Sequence, residues 1–207
     1  MARPNRIPLF PLDVVLMPGA ELPLHIFEPR YKLMIGRCLT EKLEFGMILA
    51  SNQSVAATGC TAEILRKIKD YPDGRMDIFT VGRAVFHLEE LIEEKEYYEG
   101  RVEYVEDTPV ALDLEQEAQL LQLFQKCHTL LFSSPWTNPE DKDPLTMAYR
   151  MAALLPMELE KRQAMLETRS EHDRREQVLR WTERFLPKLI AQQRTRERAG
   201  GNGHSWN

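Results

Sequence analysis

IPLFPLDVVLMPGAELPLHIFEPRY, residues Ile7 to Tyr31, is the stretch whose reading decides the fold. Apolar side chains dominate it, yet Pro8, Pro11, Pro18, Pro23 and Pro29 interrupt it every few residues. Each proline removes a backbone donor and crowds the turn before it, so no amphipathic helix can run through the segment. Short strands joined by tight bends suit the same residues, with Asp13 and the Pro18-Gly19 pair marking turns. The residues that follow extend this pattern. Pro29 fits the first turn of a helix, and Tyr31, Met34, Ile35, Cys38 and Leu39 recur at helical spacing to about Lys42. Phe45 to Ala50, FGMILA, is a continuous apolar run of the buried-strand type, and Ser51 to Thr58 reads as a small, polar loop. Strands are expected over Cys60–Lys69, Met76–Val81 and Val85–Leu91, with Pro72-Asp73-Gly74 as a hairpin turn. Tyr97 to Glu106 alternates Tyr98, Val102 and Tyr104 against charged neighbours and closes the β-rich half. Short strands around a single helix suggest a small closed or nearly closed barrel.

Beyond about Thr108-Pro109 the period changes. Leu114, Ala118, Leu121, Phe124, Cys127 and Leu131 form one stripe along a helix from about Asp113 to Phe132. SSPWTNPEDKDP reads as a loop, and Asp143 with Pro144 as the start of the next helix. Leu145, Ala148, Met151, Ala152 and Leu155 make its apolar face, and Pro156 stops it. A short helix near Glu158–Glu167 follows. Ser170 caps the last one, on which Val178, Trp181, Phe185 and Leu189 face inward and Pro187 kinks or ends the helix. The fold class is therefore α+β: a β-barrel subdomain over 1–109, a helical bundle over 110–194, and a disordered tail over 195–207.

At 207 residues the chain has the length for one large domain or two small ones with a buried core. Its 43% hydrophobic and 29% charged residues are the balance of a folded soluble protein. A formal net charge of −5 works against general attraction to phosphates or anionic lipid. Cys38, Cys60 and Cys127 lie far apart, without the spacing of a zinc or redox motif, and their odd number suits reduced thiols in a cytosol. The N-terminus lacks the apolar core of a signal peptide, and no stretch reaches the roughly 20 apolar residues that span a bilayer. The expectation is a soluble, cytoplasmic protein without a membrane partner.

Pro18-Gly19, followed by Pro23-Leu24-His25-Ile26-Phe27-Glu28-Pro29-Arg30-Tyr31, closely resembles the opening of the substrate-binding domain of the ATP-dependent Lon proteases. The similarity continues in Gly59-Cys60-Thr61-Ala62-Glu63-Ile64, in Asp73-Gly74-Arg75 through Ile78, in Val81-Gly82-Arg83-Ala84-Val85-Phe86 and in Tyr98 to Tyr104. Asp143 to Leu155 with Pro156 is similar to the first helix pair of that family's bundle, so the resemblance runs from about Ile7 to Leu189. It implies a PUA-like β-pseudobarrel with one inserted helix, followed by a C-terminal helical bundle. Lon proteases add an ATPase module and a serine–lysine peptidase module after this region. The present sequence contains no G-x-x-x-x-G-K-[ST] loop to hold phosphates on backbone amides. The resemblance thus implies a free-standing substrate-binding domain without ATPase or peptidase.

His25, Glu28 and Arg30 combine a base, a carboxylate and a cation, yet a carboxylate–guanidinium pair tying a strand end to a helix start accounts for them more simply. No nucleophile stands beside a base, as acyl transfer requires. His87, His128, His172 and His204 show no metal-ligand spacing, and Cys127 and His128 point to different helix faces. Glu89, Glu90, Glu93, Glu94 and Glu96 read as a solvated rim around Leu91-Ile92. PUA-like folds often bind RNA, and Arg184, Lys188, Arg194, Arg196 and Arg198 are the best basic cluster for it. The acidic net charge and the absence of interleaved aromatics there weigh against nucleic acid, and a charged helix end explains the cluster. Trp136 is either an exposed peptide anchor or, by default, a cover for the seam between barrel and bundle.

These readings assign no catalytic, metal or cofactor-binding residue, call for no cofactor, and leave the substrate-binding residues unknown. The leading expectation is a non-enzymatic module for unfolded or hydrophobic polypeptide segments. It would use a groove between barrel and bundle, with strand addition at an open sheet edge. The alternatives are an RNA-binding regulator built on the barrel and an adaptor for a separate protease or ATPase.

Overall fold

A computed structural model describes residues 3–51, 54–108, 114–137 and 146–201, the side chains of 51 and 197–201 apart. In chain order its elements are β1 (Arg6–Leu12), β2 (Glu21–Ile26), α1 (Pro29–Glu41), β3 (Phe45–Ser51), β4 (Ser54–Asp70), β5 (Met76–Ile92), β6 (Glu99–Tyr104), α2 (Leu114–Phe132), α3 (Met147–Leu154), α4 (Leu159–Leu166) and α5 (Glu171–Gly201). The chain divides into two compact units, one from Met1–Thr108 with Pro156–Arg169, the other from Pro109–Leu155 with Ser170–Asn207.

In the first unit the strands follow the order β2-β5-β4-β3-β1-β6, and a further pairing of β5 with β6 closes the last five into a ring. It is a ring of strands rather than a clean barrel. Only β1 and β3 run parallel among the described pairs; the rest are antiparallel. The prolines of the opening segment explain its course. β1 changes partner midway, meeting β6 through Arg6–Pro8 and β3 through Leu9–Leu12, so Pro8 and Pro11 sit where a strand need not supply one unbroken ladder. Pro18-Gly19 makes the expected turn, with Gly19 at φ 75°, a left-handed conformation that glycine adopts without strain.

Two expectations for the strands need correction. The strands read as Met76–Val81 and Val85–Leu91 are one strand, because Gly82 is a point of close approach and not a break. Gly19 N–H donates to the Gly82 carbonyl at 2.9 Å and Gly82 N–H to the Ala20 carbonyl at 2.9 Å. A Cβ at position 82 would overlap the Met17 carbonyl. The loop read from Ser51 to Thr58 is likewise mostly strand, since β4 starts at Ser54 and pairs back on β3. Its residues there are small and not fully buried, so backbone pairing decides their conformation and the hydrophobic pattern does not show it.

Ile7, Leu9, Ile48, Phe86 and Val102 form one buried cluster. The missing side chain of Gly59 makes room for the Phe86 ring. α1 starts on Pro29, buries Tyr31, Met34, Ile35 and Cys38, and sets the Tyr31 ring 4.0 Å from that of Phe10. α4 belongs with the strands; Gln163 of α4 donates to the Thr58 carbonyl at 3.1 Å. Past Ala62, β4 leaves β3 and continues beside β5 and β2 as a three-stranded arm. The arm ends in the expected Pro72-Asp73-Gly74 turn, where Tyr71 N–H donates to the Arg75 carbonyl at 2.9 Å and Gly74 has φ 79°.

In the second unit α2 and α3 each pack against α5. The apolar stripe of α2 is rotated from the expected one. Leu120, Phe124 and Cys127 are buried, while Leu114 and Ala118 are exposed. Leucines occur all round this helix, and packing rather than periodicity selects the face. Ser170 caps α5 as expected, its Oγ accepting from Asp173 N–H at 3.3 Å. α5 runs through Pro187 to Gly201. The helix start read at Asp143-Pro144, Leu145 of its apolar face and the last six residues lie outside the described residues.

The close approach at Gly82 gives a test of this architecture. Gly82→Ala should lower stability by about 2–4 kcal/mol, since backbone and not a flexible side chain would have to move. Urea unfolding followed by circular dichroism measures it, and a midpoint equal to wild type would contradict the packing of the turn on β5.

Candidate functional site

The signature residues separate in the structure. Arg30 Nε donates to Glu28 Oε2 at 2.9 Å, and the Glu28 carbonyl accepts from Tyr31 and Lys32 at the start of α1. His25 takes no part in that pair. It lies on β2 opposite Asp77 of β5, with its Nδ1 2.5 Å from Asp77 Oδ1. Tyr71 Oη donates to Asp77 Oδ2 at 2.8 Å. The hydrogen bonds from His25 and Tyr71 hold Asp77 below the usual carboxylate range. The Phe27 ring stacks on His25 at 6.0 Å, and Tyr71 meets His25 edge-on at 5.7 Å.

The register of the arm gathers more residues around this cluster. Pro23, Phe79 and Arg66 form one cross-strand row, and His25, Asp77 and Lys69 the row two residues along. Side chains alternate between faces, so these rows share one face, and Leu24, Ile26 and Ile78 belong to the other. Ile26 and Ile78 are buried. On the outer face the Arg66 guanidinium lies 4.9 Å from the Phe79 ring centre, and Lys69 and Arg75 lie 4.5 and 5.0 Å from that of Tyr71. Phe27 is 59% exposed.

Among the described residues the arm has two edges without a strand neighbour. β2 carries Pro23 on its edge, and β4 beyond Ala62 departs from the ladder between Ile64 and Arg66 and again between Lys67 and Lys69. Proline, lysines and bulges are the devices that discourage a further strand from adding. The residues skipped by the register, Leu65 and Ile68, are 47% and 53% exposed. What the arm offers is therefore side chains, aromatic and apolar, more than a free backbone ladder.

Other polar clusters serve the fold. Glu99, only 3% exposed, accepts from Arg6 Nη2 at 2.6 Å, Arg37 Nη1 at 2.8 Å and Lys95 Nζ at 2.8 Å. Burial alone would push its carboxyl up, but the bonds from Lys95, Arg6 and Arg37 outweigh it and hold the group at about 2. In the second unit, buried Glu171 accepts from Ala148 N–H at 3.0 Å, Arg174 Nε at 3.1 Å and Arg175 Nε at 3.0 Å. The Arg174 guanidinium lies 4.1 Å from the Tyr149 ring centre. Within SEHDRRE the structure buries Glu171, Arg174 and Arg175.

The remaining candidates are dispersed. The thiols of Cys38, Cys60 and Cys127 are free and buried, and burial pushes Cys38 up to about 12 and Cys127 to about 11. None is poised as a nucleophile near neutral pH. No group of three metal-ligating side chains occurs among the described residues. His87 is exposed, His128 Nδ1 stands 3.0 Å from the Ser134 carbonyl, and His172 stands 3.6 Å from Glu176; His204 lies outside the described residues. Trp136 folds back onto α2, its ring 4.9 Å from Phe124 and edge-on. The five glutamates from Glu89 to Glu96 are exposed, as are Arg184, Lys188, Arg194 and Arg196 along α5.

Residues 6–184 match the family described as the ATP-dependent protease La (LON) substrate-binding domain. The chain is 32% identical to the Lon protease of Parabacteroides distasonis over 55% of this chain and 15% of that protein. It is 26% identical to the Lon protease of Escherichia coli strain K12 over 93% of this chain and 26% of that protein. The chain thus spans about a quarter or less of the length of these curated relatives. A solved structure of a Lon N-terminal domain protein from Xanthomonas campestris superposes with a TM-score of 0.68 at 28% identity, covering 85% of this chain and 98% of that one. The N-terminal domain of a Mycobacterium avium complex Lon protease, 14% identical, has the same fold with a TM-score of 0.62, covering 86% of this chain and 98% of that one.

The Glu99 cluster predicts a pH dependence with a definite sign. Its folded-state value is depressed from 4.5 to about 2, so the stabilisation is complete above about pH 4.5 and is lost as pH falls through about 2. Glu99→Gln should cost about 2–3 kcal/mol at pH 7, allowing for the solvent screening of Arg6 and Lys95. Urea titrations from pH 7 to pH 2 should show the gap between variant and wild type closing toward pH 2. A gap constant with pH would contradict the assignment.

Proposed function

The chain belongs to the ATP-dependent protease La (LON) substrate-binding domain family, and from that premise we propose that it is a non-catalytic module that binds unfolded or apolar polypeptide segments. The substrates of a protease are polypeptides, and a domain described as substrate-binding is expected to hold them without cutting them. The observation that carries the reading to this chain is the outer face of the arm, where Phe27, which is exposed, and Tyr71, both at strand ends, join His25 and Phe79 on paired strands. Rings held by a sheet supply apolar area at little cost in side-chain entropy, which suits ligands that lack a fixed shape. The ligand itself loses entropy on docking, so affinity in the micromolar range is expected.

Burial of the three thiols supports a role without covalent chemistry. Their reduced state suits action in the cytoplasm. No helix among the described residues is long and apolar enough to cross a membrane.

Fluorescence anisotropy with a labelled model protein, once native and once reduced and carboxymethylated, tests the proposal. The unfolded form should bind and the native form should not. Phe27→Ser should weaken binding about tenfold while leaving the thermal unfolding of the module unchanged. No affinity for the unfolded form would rule the reading out. A single-stranded RNA bound more tightly than the polypeptide, through Arg194 and Arg196, would replace it with RNA binding.

A further inference from the structure

The open edge of β4 reads Ile64-Leu65-Arg66-Lys67-Ile68-Lys69-Asp70. Two bulges interrupt its ladder with β5, and the residues they leave out of register, Leu65 and Ile68, are exposed. Both are flanked by cations: Arg66, Lys67 and Lys69 share this stretch with one carboxylate, Asp70, which pairs with Lys67 at 2.9 Å, while Glu63 just before it pairs with Arg83. Arg66 and Lys69 are seated over the rings of Phe79 and Tyr71. Lys69 also acts through space on Asp77, the carboxylate already engaged by His25 and Tyr71. Across the tip Arg75 pairs with Asp73 at 2.6 Å, and Lys32 Nζ donates to the Asp73 carbonyl at 3.0 Å. An apolar pair in a cationic frame thus stands on a chain whose net charge is −5.

From this charge pattern we infer that the β4 edge selects polypeptide segments in which Asp or Glu residues flank large apolar ones. The inference rests on the polypeptide-binding reading and names the class of segment preferred. Leu65 and Ile68 take the apolar side chains. Arg66 and Lys69 take the carboxylates, because cations held over rings keep their outward N–H groups for a ligand. A segment carrying lysines instead meets like charge at the same places, so the edge discriminates by repulsion as well as attraction. The bulges also leave no regular ladder for an incoming strand, so selection falls on side chains.

The test uses the full chain and two fluorescein-labelled peptides of equal length and equal Leu and Phe content, one with Glu and one with Lys at the remaining positions. Anisotropy at low salt should show the acidic peptide bound about tenfold more tightly, the preference shrinking as salt rises. Leu65→Ser with Ile68→Ser should weaken the acidic peptide about tenfold without changing thermal unfolding. Arg66→Glu with Lys69→Glu should reverse the preference between peptides.

Equal affinity for both peptides, with binding of unfolded polypeptide intact, would overturn this inference and leave the proposed function standing. Binding of neither peptide nor the unfolded polypeptide would overturn both. The chain's own acidic and apolar run from Leu88 to Glu96 makes a second copy the competing occupant. Sedimentation that shows self-association abolished by Ile68→Ser would assign the edge to that copy and overturn the inference. So would a single-stranded RNA that displaces the acidic peptide at lower concentration.

Discussion

The first unit depends on one constraint: β5 carries the pairings of three other strands, β2, β4 and β6. Over Phe86–Ile92 it meets β6, which closes the ring, and over Met76–Val81 it meets β2, which builds the arm; β4 pairs with it from Met76 to His87 and so spans the changeover. Gly82 stands at the changeover, and the turn of Pro18-Gly19 lies directly on it. A side chain there would separate the turn from the strand and with it β2 from the arm. Ring and arm are therefore parts of one hydrogen-bonded object, and the arm is held by the same core that holds the ring.

That arrangement places the surface to which a function is proposed. The arm's buried face carries Ile26, Ile78 and Thr80, whose hydroxyl donates to the Leu22 carbonyl at 2.7 Å. The opposite face has nothing of the described first unit to bury it as deeply, and it keeps Phe27, Tyr71 and Phe79 in a frame of cations. Charged clusters that mimic active sites serve the fold instead. Glu28 and Arg30 pair at the start of a helix, Glu99 gathers three cations, and Glu171 joins α3 to α5. Each of these carboxylates is engaged by its neighbours, so none of them supplies the chemistry of the exposed face.

Much of the fold was legible because prolines and helical periodicity are local signals. Five prolines in twenty-five residues excluded a helix from Ile7 to Tyr31, and the stripe from Tyr31 to Cys38 gave α1 nearly to its ends. What was missed depends on partners distant in sequence. Gly82 looked like a break because its reason, the Met17 carbonyl, lies 65 residues earlier. The α2 stripe was rotated because leucines surround that helix and α5 chooses among them. The cations and rings of the arm are assembled from β2, β4, β5 and the turn, with no two of the rings adjacent in sequence. Bulges cannot be read from one strand alone, so Leu65 and Ile68 looked like ordinary strand residues.

The most direct test of the central claim is amide chemical-shift mapping of the isotopically labelled chain, titrated with a reduced and carboxymethylated protein. The account predicts shifts concentrated in residues 21–27 and 63–81, the three strands of the arm and its turn. Shifts confined to α2, α3 and α5, or none at saturating ligand, would contradict it.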